Sequence, residues 1–168
     1  MFKKNNYLRG KKAQRVGKEF EQIIIRYCNR EGIAVKKTDA ILRQSATGQM
    51  WRERAGCDFV LGYQSVAVFL DAKSIDSDRI SHSFLKPHQI QDLSYWASHG
   101  FNSGLIVWFR EKNIISFIPV SDLLKLNPGE SIRVEQTIQL GTLFDFQLGR
   151  LFSLQWEKTA CPQCRQRK

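Results

Sequence analysis

The most constraining feature is the run Val66-Ala-Val-Phe-Leu-Asp-Ala-Lys73. It is apolar on both faces until Asp71, which predicts a central strand buried on two sides. Just upstream, Cys57-Asp-Phe-Val-Leu61 reads as a partner strand, with Gly62-Tyr-Gln-Ser65 as the turn. Asp71 and Lys73 are two apart, so both side chains leave the same face of the sheet. If Leu61 pairs with Val66, Asp58 lies opposite Phe69 and shares that face; a slip of one residue would move it to the other. Two carboxylates a few ångströms apart repel unless a cation sits between them, the usual setting for a hard, oxygen-seeking ion such as Mg²⁺. A lysine beside them can orient a water and stabilise charge on a phosphate. The bland alternative is an Asp–Lys ion pair that closes a strand end.

The flanking segments supply the rest of one α/β domain. Val16–Arg30 reads as an amphipathic helix, with Val16, Phe20, Ile23, Ile24 and Tyr27 on one stripe and Gly32 as its stop. Ile33–Lys37 is a short strand. Residues 39–56 show neither helical nor strand period and carry Arg43, Arg52 and Arg54, which predicts a long basic loop. Residues 74–85 read as a polar loop. Pro87 starts a helix that ends at Gly100, and Gly104–Phe109 and Ile114–Val120 are two further strands around the turn Arg110–Asn113. Ser121 is expected to cap a short helix through Leu126. Thr137–Trp156 is apolar only in patches. The expected order is α-β-β-β-α-β-β with a mixed central sheet, in a chain of 168 residues whose 42% hydrophobic content can bury a core.

Charge separates the ends from the middle. Lys plus Arg number 26 against 16 Asp plus Glu, a net charge of +10. Lys3, Lys4, Arg9, Lys11, Lys12, Arg15 and Lys18 precede any acid, and Lys158, Arg165, Arg167 and Lys168 follow the last one. This divides the chain into a basic arm (1–15), a near-neutral domain (16–157) and a basic tail (158–168). Such flanks commonly bind a polyanion, nucleic acid first, the alternatives being a solubilising tail or a ribosome-associated arm. No apolar run is long enough for a membrane span and no secretory signal is evident, so the expectation is a cytoplasmic protein with reduced cysteines and no membrane partner. Cys161-Pro-Gln-Cys164 is half of a four-cysteine zinc site; free thiols are expected there, the alternative being a site shared between two copies.

Asp58 followed by Asp71-Ala-Lys73 resembles the PD-(D/E)xK nuclease signature. Within that superfamily the chain is similar to the RecU-type Holliday-junction resolvases. The match also rests on Gly17-Lys-Glu-Phe-Glu21 at the first helix, on CDFVLG…VAVFLDAKS, and on Phe84-Leu-Lys-Pro-His-Gln89 with the strand after Gly100. It runs from about Val16 to about Val120. Cys57 stands where the signature has proline, Asp71 where the family usually has glutamate, and the protruding segment 39–56 is short.

The resemblance implies a restriction-endonuclease-like core and a Mg²⁺-dependent endonuclease, with Mn²⁺ able to substitute and no small-molecule cofactor. Asp58, Asp71 and the Ala72 carbonyl would bind the metal, and Lys73 would position the attacking water. Glu21 would supply a further acid, and Gln89 would contact the metal shell or the phosphate. The substrate would be a four-way DNA junction cut by a homodimer. Candidate DNA contacts are Lys11, Lys12, Arg15, Lys18, Lys36, Lys37, Arg43, Arg52, Arg54, Lys86 and His88. The alternatives are a restriction- or repair-type nuclease on duplex DNA and a non-catalytic nucleic-acid-binding protein on the same fold.

Overall fold

The computed structural model describes residues 2–38, 41–45, 47–53 and 56–154. The chain opens with one long helix, α1 (Phe2–Arg30), where the sequence suggests an arm followed by a helix from Val16. Residues 2–15 contain no proline and several good helix formers, so nothing interrupts the helix before the amphipathic part begins. An exposed Arg15–Glu19 pair at 2.9 Å, one turn apart, bridges the two halves. From Phe20 onward Phe20, Ile24 and Cys28 are fully buried and form one side of a core.

The central sheet has six strands: β1 (Ala34–Lys37), β4 (Phe59–Tyr63), β5 (Val66–Ile75), β7 (Asn102–Phe109), β8 (Ile114–Pro119) and β10 (Ile138–Thr142). Their order across the sheet is β1-β4-β5-β7-β8-β10. Only β5 and β7 run parallel, so the sheet is mixed, as expected. The crossover between them carries α2 (Pro87–Ser98), as a parallel pair requires a connection longer than a hairpin.

Helix α1 covers one face of the sheet over Phe59, Leu61, Val68, Leu70, Ile106 and Phe117. On the other face α2 and the short α3 (Val120–Leu123) cover Phe69, Leu105, Val107 and Ile118. Strand β7 is buried along nearly all its length. Gly104 in it has no room for a side chain: a Cβ there would lie 2.2 Å from the carbonyl oxygen of Ile118 on β8.

Several local expectations are corrected. The β4–β5 hairpin turns on Gln64 and Ser65 alone, both left-handed with φ of 46° and 67°, while Gly62 and Tyr63 belong to the strand. Two residues in this conformation match the twist of the flanking strands, so the turn tightens. The register then pairs Leu61 with Val68, not Val66. Because the shift is by two residues, no side chain changes face.

Residues 39–56 are not one loop. They contain β2 (Ile41–Gln44) and β3 (Met50–Glu53), a two-stranded antiparallel ribbon. Its turn uses Gly48 at φ 83° and the Ser45 hydroxyl, which accepts the Gln49 N–H at 3.0 Å. The stretch 74–85 is also partly strand: β5 continues to Ile75, and β6 (Arg79–Ser81) pairs with β9 (Ser131–Arg133). Ser121 does not cap α3, because that helix already starts at Val120, with Pro119 at its cap position. The patchy C-terminal stretch holds β10 and α4 (Arg150–Ser153); Leu140 on β10, Leu151 on α4 and Leu148 between them join the core that α1 covers. Among the described residues, no helix is long and apolar enough to cross a membrane.

Candidate active site

The corrected register carries Asp58 past Phe69 to a place beside Asp71. Two hydrogen bonds lock the pair: the Asp58 N–H donates to Asp71 Oδ1 at 3.0 Å, and the Ala72 N–H donates to Asp58 Oδ2 at 2.9 Å. Each acid is thus held by the backbone of the opposite strand, just where the hairpin ladder ends. Asp71 is 1% exposed, and its second oxygen, Oδ2, is buried without a hydrogen-bond partner. A lone pair in that position is costly to leave empty.

Burial, reinforced by the charge on Asp58 and opposed by Lys73, pushes the Asp71 carboxyl up to about 6. Burial also raises Asp58, against the Ala72 N–H and Lys73. Lys73, half-buried two residues after Asp71, is lowered by burial while both acids oppose the shift. Its ammonium donates to Gln89 Oε1 at 2.7 Å, so the first turn of α2 orients the lysine. Lys86, beside Pro87, is near enough to lower Lys73 further.

The long helix and the edge strand complete the centre. Glu21 on α1 accepts an ion pair from Lys37 at the end of β1, 2.8 Å between Nζ and Oε2. Both charges are felt at Asp58, and the Thr38 N–H donates to the Asp58 carbonyl at 2.9 Å. The structure therefore assembles Glu21, Asp58, Asp71, Lys73 and Gln89 from three parts of the chain. Ala72 enters through its amide.

Lys37, expected only as a DNA contact, joins them because the last pair of the β1–β4 ladder sets it opposite Phe59, the neighbour of Asp58. Sequence reasoning passed over Asp92. It packs against Gly56 and adds to the negative field at Asp71; its spacing of three from Gln89 on a helix is the signal that marks it. Cys57, in the place of the signature proline, is a neutral wall: burial first, then Asp71, pushes its thiol up to about 11.

The remaining basic candidates lie outside the centre. Lys11, Lys12, Arg15 and Lys18 are exposed along α1, Lys36 is exposed on β1, and His88 is half-buried at the start of α2. Arg54, Cys161, Cys164 and the tail 158–168 lie outside the described residues, as do the side chains of Arg43 and Arg52.

The donor set suits a hard divalent ion: two carboxylates, one with an unsatisfied buried oxygen, next to backbone that is already anchored. Among the described residues no three His, Cys, Asp or Glu side chains converge as a metal site.

The arrangement of a helix acid, a hairpin acid and D-x-K on the next strand, within a mixed sheet, is that of a restriction-endonuclease-like nuclease fold. A solved structure of the same architecture is Hjc, a Holliday junction resolvase from Archaeoglobus fulgidus. It aligns over 73% of this chain and 95% of its own with a TM-score of 0.54 and 15% identity. The family described as "RecU: Recombination protein U" matches residues 19–148. The chain belongs to the RecU family. No curated protein matches the sequence closely enough to count as a relative.

Proposed function

We infer that this protein is an endodeoxyribonuclease that resolves four-way DNA junctions by paired, symmetric nicks, with Mg²⁺ as its natural cofactor and Mn²⁺ as a substitute. The observation that carries the reading is the buried, partnerless Asp71 Oδ2 beside Asp58 and Lys73. A mere ion pair would spend that oxygen on the lysine, whereas here Lys73 bonds Gln89 instead.

Asp58 and Asp71, with the Ala72 carbonyl, would hold the ion, which supplies charge neutralisation at the phosphate and a more acidic water. The protein's own residues do the rest. Gln89 fixes the Lys73 ammonium, and its lowered proton affinity lets it trade a proton with the attacking water while it faces the phosphate. Lys37 restrains Glu21 at the rim, keeping a third acid near Asp58 without burying an unpaired charge. The exposed bases of α1, together with Lys36, Lys86 and the β2–β3 ribbon, would position the DNA through its phosphates.

Two opposed strands need two active sites, so the working form is a homodimer. Its place is the cytoplasm, with the DNA.

The test compares a four-way junction with linear duplex of the same sequence, in Mg²⁺, in Mn²⁺ and in chelator, for wild type, Asp58→Asn and Lys73→Ala. Junction cutting should need the metal, and each variant should fall by several orders of magnitude while still binding the junction. Equal cutting of linear duplex would replace the junction reading with a duplex nuclease. A folded Asp58→Asn protein that cuts at the wild-type rate would overturn the catalytic assignment.

A further inference from the structure

Three buried hydrogen-bond donors collect on the face of the sheet turned away from the catalytic acids. Phe69 and Ile75 on β5 lie in the core beneath α2, so Asp71 and Lys73 share that face and Ser74 takes the other. The parallel register sets Ser74 beside Trp108 on β7. Trp108 packs against Phe20 of α1, ring centroids 5.8 Å apart. One step past the end of that ladder, Arg110 forms an ion pair with Asp76 through a terminal nitrogen. Among the described residues six buried side-chain polar atoms lack a hydrogen-bond partner, and Ser74 Oγ, Trp108 Nε1 and Arg110 Nε are three of them. Half of the unsatisfied groups therefore stand in one corner of the molecule.

The chemistry of the three selects a ligand. Trp108 and Arg110 can only donate, and Ser74 can do so as well. No protein acceptor meets them, and leaving such groups unpaired is costly. One water accepts two hydrogen bonds at most. A phosphate oxyanion accepts all three and attracts the guanidinium besides. The position fits a ligand too. Strands β5 and β7 are the parallel pair, and ligands of open α/β sheets gather outside the carboxyl ends of such strands. Ser74 directly follows Lys73, so the corner adjoins the catalytic centre on the opposite face of the same strand.

We propose that Ser74, Trp108 and Arg110 form a second phosphate-binding site, which takes the non-bridging oxygens of a DNA backbone phosphate other than the one that is cut. The proposal rests on the nuclease reading for the nature of the polyanion and goes beyond it by placing a DNA contact on the α1 face of the sheet. Asp76 is the stand-in for the phosphate. Its side chain is 64% exposed against 22% for Arg110, so it holds the guanidinium while remaining in water, and exposed pairs of this kind are weak. When the phosphate arrives, Arg110 turns to it from Asp76, and this swing opens the corner to the hydroxyl and the indole N–H.

The test is binding of the full chain to a four-way junction in chelator, where nothing is cut. Trp108→Phe keeps a ring against Phe20 and drops the N–H. It should weaken binding about tenfold, the worth of one hydrogen bond to a charged group, with the salt dependence unchanged because no charge is lost. Arg110→Gln should weaken binding and flatten that dependence by about 0.9 log units. Methylphosphonates, placed one at a time along the junction strands, remove the charged oxygen. At one position the substitution should weaken wild type and leave Trp108→Phe unaffected. Folded Trp108→Phe and Ser74→Ala proteins that both bind as wild type overturn the proposal and assign the three donors to enclosed water. A Trp108→Phe protein that responds like wild type at every methylphosphonate also overturns it. If Trp108→Phe melts early, Ser74→Ala, which loses a single oxygen, carries the same comparison. Affinity is read without metal, so a wild type that binds junctions in this way yet cuts none in Mg²⁺ would sink the nuclease reading and leave this one standing.

Discussion

Replacing Asp71 by Asn should stabilise the protein at neutral pH while abolishing cleavage. Asp71 is almost wholly buried, its carboxyl is pushed from 3.8 up to about 6, and burial is the first cause. An acid that holds its proton more tightly when folded costs nothing below about pH 4, where both states are protonated. The cost grows as pH rises toward 6 and is complete above it. The gap corresponds to about 3 kcal/mol, at 1.36 kcal/mol per pH unit. Asn removes that charge and keeps the oxygen that accepts the Asp58 N–H.

In chelator at pH 8, the variant should therefore unfold later, by up to about 3 kcal/mol in urea or roughly 6–12 °C in melting temperature for a chain of this size. The advantage should vanish near pH 4. Millimolar Mg²⁺ should close the gap from the wild-type side, since a ligand at 100 times its dissociation constant adds about 2.7 kcal/mol to the form that binds it. A variant less stable than wild type at pH 8 in chelator, or a difference that ignores pH, would refute the reasoning. It would also restore the reading of Asp71 as an ordinary ion-pair residue.

Two further outcomes follow from the same geometry. Gly104→Ala should cost about 3 kcal/mol or more in urea unfolding, because its Cβ would meet the Ile118 carbonyl oxygen at 2.2 Å and a strand backbone cannot give way; a loss under about 1 kcal/mol would show that the two strands slide apart freely. Arg15, Lys18 and Arg26 are all exposed on α1 around a groove of about 790 Å³. Changing the three to Gln should flatten the salt dependence of junction affinity by up to about 0.9 log units for each phosphate no longer neutralised, and an unchanged slope would remove α1 from the DNA path.

Much of this protein was legible before any coordinates. The apolar run ending in Asp71 and Lys73 marks a central strand with two charged side chains on one face, because strand side chains alternate. The helix stripe from Val16, the proline at the start of α2 and the two strands after Gly104 follow from periods and caps that act within a few residues. Asp58, Asp71 and Lys73 share a face whether Leu61 pairs with Val66 or with Val68, because an even shift of register leaves every side chain on its side of the sheet.

Tertiary structure decided what no local pattern encodes. Lys37 reached Glu21 because a strand edge and a helix, sixteen residues apart in sequence, cross at the site, and their ion pair depends on packing angles rather than spacing. The ribbon at 41–53 escaped because strands of four residues are too short to show an alternation. The helix before Val16 escaped because residues 2–15, rich in Lys, Arg and Asn, carry no continuous apolar stripe to read. Above all, the raised proton affinity of Asp71 and the unsatisfied Oδ2 arise from the loss of water around a carboxylate. Desolvation is a property of the assembled core: the sequence names the acid, and only the fold removes its solvent.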